Sequence, residues 1–488
     1  MTGNAGKKNL GIVGGLGAIG GADIFFKIAE SVSKEGKSDQ FNIVLEQHPF
    51  NEGPTPGAEN ALCNARKLYI FDMIRRFEKS QVESVLLPCF ISHTFIDELK
   101  SEVSLPILDI MQALRLHLER NYPTAGKLGV LTSDYVKKNA LFERYFKPPA
   151  YALIYPGQAV QENCVMQAIY GERGIKAGHI RGEAVELMHQ ACLDLLNQGA
   201  EVIVPGTTEV SIVTEVLRER GIPILDANRI YAQYATVAQG QASEKAYKIG
   251  IVGGVGPAAT VDFMNKIVRH TAAERDQDHI KIVVEHNPNI PDRTASLTGN
   301  GTDPTIALYS ACKKLEESDA SIIAIPCNTA HAFVERIQSH LQIPIVNMLN
   351  ETVDYIVRHY SDRTTIGLLA TSGTISSRVY HEAVAGTAFQ MITPEPACQQ
   401  KVMDAIYGEH GVKSSGVTEQ AYQNLLCALE HLVARGAEVI ILGCTELPLL
   451  LEQTEHFAVQ GKEVAVLDPT TILAKKCVQL SGRARPEA

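Results

Sequence analysis

"LGIVGGLGAIGGADIFFKI" at residues 10–28 returns as "IGIVGGVGPAATVDFMNKI" at 249–267, which is 239 residues later. Self-similarity at a domain-sized interval marks a duplicated fold. The correspondence continues through both halves: "IVLEQHP" with "VVEHNP", "LPILDIMQAL" with "IPIVNMLNET", "KLGVLTS" with "TIGLLATS", "QAIYGERGIK" with "DAIYGEHGVK", and "GAEVIVPGTTEV" with "GAEVIILGCTEL". Short β-branched runs such as "EVIIL" and "IIAI" alternate with segments of helical period such as "TVDYIVRHY". That alternation predicts an α/β fold of βαβ units with parallel sheets, present as a tandem duplication over residues 1–240 and 247–480. The polar stretch "QGQASEKAY" (239–247) lacks apolar periodicity and reads as the linker.

At 488 residues the chain is too long for one ordinary core. Hydrophobic residues make up 45% and charged residues 20%, and no apolar run has the length of a membrane span. The start, "MTGNAGKKNLGIVGG", passes from a polar lead into a strand without the pattern of a secretory signal, so a cytoplasmic protein is expected. A net charge of −10 without a basic cluster argues against nucleic acid as a partner, and any anionic ligand must be held by a few local cations. The 10 cysteines are scattered with no CxxC pair and are expected to be free thiols. Cys192, Cys427 and Cys477 fall in helical apolar patterns and read as small buried hydrophobes.

In parallel sheets the ligand crevice lies at the C-terminal strand ends, and the chemistry-bearing motifs fall there. Cys327 ends the strand "SIIAIP" and is expected to open a helix carrying His331; Cys444 ends "EVIILG" and is expected to open the helix "TELPLLLEQ". A thiol at the positive end of a helix ionises more easily than a free one, so both are candidate bases. Two thiols facing each other suit inversion of a stereocentre, in which one group removes a proton from one face and another delivers one to the opposite face. Asn328, Thr329 and Thr445 are candidate donors to the carboxylate of the carbanion between them. Cys327 and His331 have a C-x3-H spacing, but "GCTELP" supplies no second ligand pair, so no metal is expected. The loop "GGVGPAA" (253–259) matches neither dinucleotide nor P-loop spacing; Pro257 suits a first helical turn, and the loop is expected to turn its amides toward a small carboxylate.

Taken together, "GIVGGVGPAAT", "IPDRT", "IPCNTAH", "YGEHGVK" and "GCTELP" resemble the aspartate/glutamate racemase family, the aspartate racemase branch above all. The resemblance implies two similar parallel-sheet α/β lobes per half with a cleft between them, cofactor-independent catalysis, and an intrachain pseudo-dimer of the halves. It implies Cys327 and Cys444 as the acid/base pair, with Arg293 and Lys413 binding the side-chain carboxylate of a small dicarboxylic amino acid, aspartate or else glutamate. A pyridoxal Schiff base on Lys413 would leave the thiols without a purpose. Another two-cysteine isomerase or decarboxylase of a small dicarboxylate, and a non-catalytic small-acid sensor, are the alternative readings.

The first half keeps Cys89, His93 and Lys176 but has Thr207 in place of Cys444, Pro54 in place of Arg293, and Phe90-Ile91 in place of Asn328-Thr329. A threonine hydroxyl is too weak an acid to move the second proton unaided. The first half therefore reads as a degenerate copy in which base, clamp and donors are lost together.

Overall fold

Residues of the β-branched runs pair in parallel because each run is separated from the next by a helix that carries the chain back across the sheet. The computed structural model describes residues 7–48, 50, 59–238 and 246–485, with side chains from 64 onward in the second of its longer segments. The chain divides into two units, Met1–Lys245 and Ala246–Ala488. Most of the predicted linker (239–245) and Pro54 lie outside the described residues.

In the first unit, β1 (Lys8–Val13), β2 (Phe41–Glu46), β3 (Ser84–Leu86) and β4 (Ile107–Leu108) form a parallel sheet of order β2-β1-β3-β4. A second parallel sheet joins β5 (Lys127–Thr132), β6 (Ala152–Ile154) and β7 (Val202–Gly206) in the order β6-β5-β7. The second unit repeats this plan. Its first sheet comprises β8 (Lys248–Gly253), β9 (Lys281–His286), β10 (Ile322–Ala324) and β11 (Ile345–Val346), ordered β11-β10-β8-β9. Its second holds β12 (Thr365–Ala370), β13 (Gln390–Ile392), β14 (Val439–Gly443), β15 (Thr454–Val459) and β16 (Lys462–Leu467), ordered β13-β12-β14-β16-β15. Only the β15–β16 hairpin is antiparallel among the described strand pairs, and the first unit has a single bridge, Ile203 to Ile224, where the second has β14–β16. Register is kept between repeats: Lys8 lies opposite Phe41, and Lys248 opposite Lys281, the same separation along the chain.

The last helix of each unit returns to the first lobe and is pinned there by one buried ion pair. Lys27, on the helix Ala18–Lys34, reaches Asp23 at 2.7 Å and Asp226 at 3.0 Å; Lys266, on Pro257–His270, binds Asp262 and reaches Asp468 at 2.5 Å. Asp226 and Asp468 are also the N-caps of the final helices, Ala227–Val237 and Pro469–Leu480, so one carboxylate caps a helix and anchors it. Removing one partner of such a buried pair costs about 3–5 kcal/mol.

Two glycines shape the loop after β8. Gly254 has φ +84°, and a Cβ there would lie 2.4 Å from the Asn287 carbonyl carbon; a Cβ on Gly256 would lie 2.6 Å from Glu446 Oε1. Close approach to neighbouring groups requires glycine at these two positions, and Val255 between them lines the cleft of this half. Pro257 occupies the first turn of the following helix, as predicted. Cys192 and Cys477 are buried, but Cys427 is exposed. On the helix Glu419–Ala434 the buried stripe runs through Ala421, Leu425, Ala428 and Leu432, and Cys427 falls beside it. Among the described residues no helix is long and apolar enough to cross a membrane.

Candidate active site

In the second unit, residues from both sheets meet around a cavity of about 10 Å3. Cys327 and Cys444, from the ends of β10 and β14, both line it, together with Arg293, Lys413, Asn328 and Thr329. The structure brings these six, and Thr445, around the same cavity. Burial of both thiols is deep, at 7% exposed each.

The thiols have opposite surroundings. Arg293 lines the cavity beside Cys327 and anchors its own guanidinium on backbone carbonyls, donating from Nη2 to Val255 O at 2.7 Å and from Nη1 to Pro291 O at 3.1 Å. Burial opposes the guanidinium's charge, but the Cys327 thiol and Asp292 beside it raise its pKa overall. Cys444 instead donates its proton to Glu446 Oε2 at 3.0 Å. Burial first, and then the negative charge of Glu446, push the Cys444 thiol well up from its ordinary value.

This corrects the expectation of two helix-activated thiols. No α-helix starts at Cys444: after a turn comes a 3₁₀ segment, Leu447–Leu449, containing Pro448. His331 likewise lies in a 3₁₀ segment, Thr329–Phe333, ahead of the short helix Val334–Gln338. Such short pieces carry little aligned dipole, so the adjacent Arg293 and Glu446 side chains dominate the local field.

Glu446 escaped the sequence reading, although a glutamate follows the second base position by two residues in both halves ("GCTEL", "GTTEV"). It is 3% exposed, contacts Gly256, and lies 3.6 Å from Lys413 Nζ. Burial opposes the Lys413 ammonium, and Glu446 raises its pKa nonetheless. Lys413 also sits 4.7 Å from the centre of the Tyr407 ring, whose phenol is pushed up to about 12, chiefly by burial.

Behind Cys327, Asn328 accepts a hydrogen bond from Tyr380 at Oδ1 (2.5 Å), which leaves its Nδ2 buried without a protein partner. Arg293 Nε is a second buried donor without one. Thr329 joins a hydroxyl cluster with Thr371 (3.3 Å) and Thr374 (2.8 Å). His331 is no ligand. Its Nδ1 bonds the Cys327 carbonyl at 2.9 Å and its Nε2 accepts from Met348 N at 3.1 Å; burial lowers its pKa to about 4, so it is a neutral brace for the cysteine turn. Among the described residues no cluster of three or more His, Cys, Asp or Glu side chains could hold a metal.

The first unit has the matching cleft at its own strand ends, a cavity of about 20 Å3. Cys89, Lys176 and Thr207 line it. Thr207 caps the helix Thr208–Ile212, accepting from Val210 N at 3.2 Å. The predicted loss of a guanidinium needs correction. Arg66, from the helix Glu59–Glu78, places Nη1 2.9 Å from Cys89 Sγ. Nothing in the sequence pointed to it, because the repeat has Pro304 at that position, by the 238-residue offset of Cys89 and Cys327, and no motif surrounds it.

The Asp/Glu/hydantoin racemase family matches residues 13–235 and again 252–477. The broad-specificity amino-acid racemase RacX of Bacillus subtilis (strain 168) is 27% identical over 236 residues, covering 47% of this chain and 96% of RacX. A glutamate racemase of Shewanella baltica (strain OS185) is 30% identical over 170 residues, 35% of this chain and 58% of that enzyme. Among solved structures, the Picrophilus torridus aspartate racemase aligns at 28% identity with a TM-score of 0.43, covering 49% of this chain and 96% of its own.

Proposed function

This chain belongs to the Asp/Glu/hydantoin racemase family, and from that premise we propose that its C-terminal half is a cofactor-independent racemase interconverting L- and D-aspartate, or glutamate, through Cys327 and Cys444. The observation that carries this reading is the presence of two thiols in one buried cavity with opposite charges beside them, Arg293 at Cys327 and Glu446 at Cys444.

In the direction that begins with the exchangeable proton on Cys444, which donates to Glu446, Cys327 is the base and acts as a thiolate. The thiolate removes the α-proton from one face, and the Cys444 proton is delivered to the opposite face of the carbanion. The enzyme is left with the proton on Cys327, and the reverse reaction resets it. Arg293 and Lys413 supply the cations for the side-chain carboxylate. Asn328 Nδ2, buried without a partner, is a donor suited to the charge that develops on the α-carboxylate, with Thr329 and Thr445 beside it. Thr445 donates to Glu446 at 3.4 Å and so shares the carboxylate that holds the Cys444 proton. A cavity of about 10 Å3 is near the smallest that holds one water, so an amino acid enters only when the two lobes of the C-terminal half part. Reclosure then excludes water from the carbanion.

Incubation of the full chain with each enantiomer of aspartate and glutamate in D2O tests this. The expected result is α-deuteration accompanied by inversion, without added pyridoxal phosphate. Deuteration without inversion, or neither, rejects a racemase.

A further inference from the structure

Two thiols of the second unit stand outside its cavity, on helices that pack against each other. Cys398 lies in the first turn of Pro396–Tyr407, and Cys427 lies midway along Glu419–Ala434. Two hydrogen bonds fix how these helices pass. Arg435 Nη1 donates to Thr393 O at 2.7 Å, and Glu395 N donates to His431 Nε2 at 3.4 Å. Moving forward from Thr393 to Glu395 takes the contact backward from Arg435 to His431, so the helices run antiparallel. The next turn sets Cys398, which follows Glu395 by three residues, against Cys427, which precedes His431 by four. Burial first, and then negative charge on Cys427, push the Cys398 thiol up, as two thiols within mutual reach require.

The repeat gives an independent reading of the same position. Gly199 of "GAEVIVPG" and Gly436 of "GAEVIILG" are 237 residues apart, and by that interval Gln190 stands where Cys427 does. Gln190 accepts a hydrogen bond from Cys164 Sγ at 3.6 Å, and Cys164 lies on the helical segment that leads into "IYGER", as Cys398 lies on the one that leads into "IYGEH". The position therefore faces the neighbouring helix in both units. Ala405, Ala421 and Ala428 are buried on the same two helices, and small residues let helices approach closely, which a bridge between facing cysteines needs. Access also separates this pair from the cavity thiols: Cys427 is exposed and Cys398 half-buried, whereas Cys327 and Cys444 are both buried.

We propose that Cys398 and Cys427 are an oxidisable dithiol, which a hydroperoxide converts to a disulfide between the two helices. Cys427, the exposed member, reacts first. Its thiolate sulfur attacks one peroxide oxygen, the O–O bond breaks, and the sulfenic acid forms as the departing hydroxide takes up the proton that Cys427 released. The Cys398 sulfur then attacks the Cys427 sulfur, the S–O bond breaks, and the second hydroxide leaves as water with the Cys398 proton. Two thiols lose two electrons in all, and one hydrogen peroxide becomes two waters. The helix Pro396–Tyr407 ends on the tyrosine whose ring centre lies 4.7 Å from Lys413 Nζ, so the bridge tethers the element that leads to this lysine.

Treatment of the reduced full chain with hydrogen peroxide, followed by alkylation and tryptic digestion without reductant, tests this. Trypsin releases residues 379–401 and 414–435, each holding one cysteine, so a bridge between them has only one reading. The expected product is these two peptides joined, about 2 Da lighter than the separate thiol peptides together and parted by dithiothreitol. It is expected to form at least about tenfold faster in the native chain than in the chain unfolded by guanidinium, because packing replaces the search of an open loop. In Cys398→Ser, dimedone is expected to trap the sulfenic acid on Cys427; in Cys427→Ser, Cys398 is expected to be trapped at least about tenfold more slowly. Absence of the joined peptides, equal rates in the native and unfolded chains, or faster trapping on Cys398 each overturn the proposal. Mass spectrometry reads the bridge whether or not the cavity inverts aspartate, so failure here and failure of the racemase reading are separately visible.

Discussion

The two halves share a frame and differ in their clefts. Lys27 with Asp226 and Lys266 with Asp468 make the same buried anchor, and His93 and His331 brace the same cysteine turn. At the second base position the halves part: Thr207 caps an α-helix, whereas Cys444 starts no α-helix and gives its proton to Glu446. A threonine hydroxyl satisfies a backbone donor, while a thiol is a poor cap but a usable acid. The difference teaches that a fold can be preserved by residues that never touch the cleft, which leaves the cleft free to change.

The sharpest way to break the comparison is to remove both C-terminal thiols. A chain carrying Cys327→Ala and Cys444→Ala is expected to lose aspartate inversion by several orders of magnitude, and each single variant nearly as much, because the two act as one unit. Chiral chromatography of the product checks this. Clear inversion by the double variant would assign racemisation to the Cys89 cleft and erase the distinction between halves.

Next in size is the clamp. Arg293→Ala is expected to cost about 2 kcal/mol or more in kcat/KM for aspartate and less for alanine, since the cation beside Cys327 is lost to both substrates but the charge-assisted bond to an acidic side chain only to aspartate. An unchanged preference for aspartate over alanine would remove Arg293 from the clamp.

Glu446→Gln sharpens the comparison at the level of charge. The Glu446 carboxylate raises the Cys444 pKa, so its neutralisation lowers that pKa, and the basic limb of the kcat/KM profile moves to lower pH. A basic limb that stays in place would show that Cys444 does not carry the titrating proton.

The smallest expected difference concerns the shared frame. His331 has a pKa of about 4 when buried against an ordinary 6.5, and burial lowers His93 as well. The unfolded chain then binds more protons between these values, so this contribution to stability is complete above about pH 6.5 and declines as pH falls toward 4. The slope is at most about 1.4 kcal/mol per pH unit for each histidine. Hydrogen exchange followed by mass spectrometry, corrected for intrinsic rates, is expected to show both halves weakening together. The chain has no tryptophan, so fluorescence of that residue cannot substitute. Weakening confined to one half would show that the two histidines are not equivalent braces.

The sequence by itself determined the duplication, the α/β class and the strand ends that carry Cys89, Cys327, Thr207 and Cys444, because these follow from local periodicity and from a repeat that any reader can align. The family resemblance carried by its motifs also associated Arg293 and Lys413 with the thiols, and all four side chains line one cavity. Only the tertiary structure decided which charge each thiol meets. Glu446 acts on Cys444 through a buried contact that the spacing of two residues does not announce, and the expected helix dipoles gave way to 3₁₀ turns too short to supply them. Arg66 shows the same limit most plainly: it lies 23 residues from Cys89 in a helix with no motif, and only the packing of that helix on its sheet brings the guanidinium to the thiol. Interactions at close range in a buried site depend on ångström-scale placement across separate elements, which periodicity along one element does not encode.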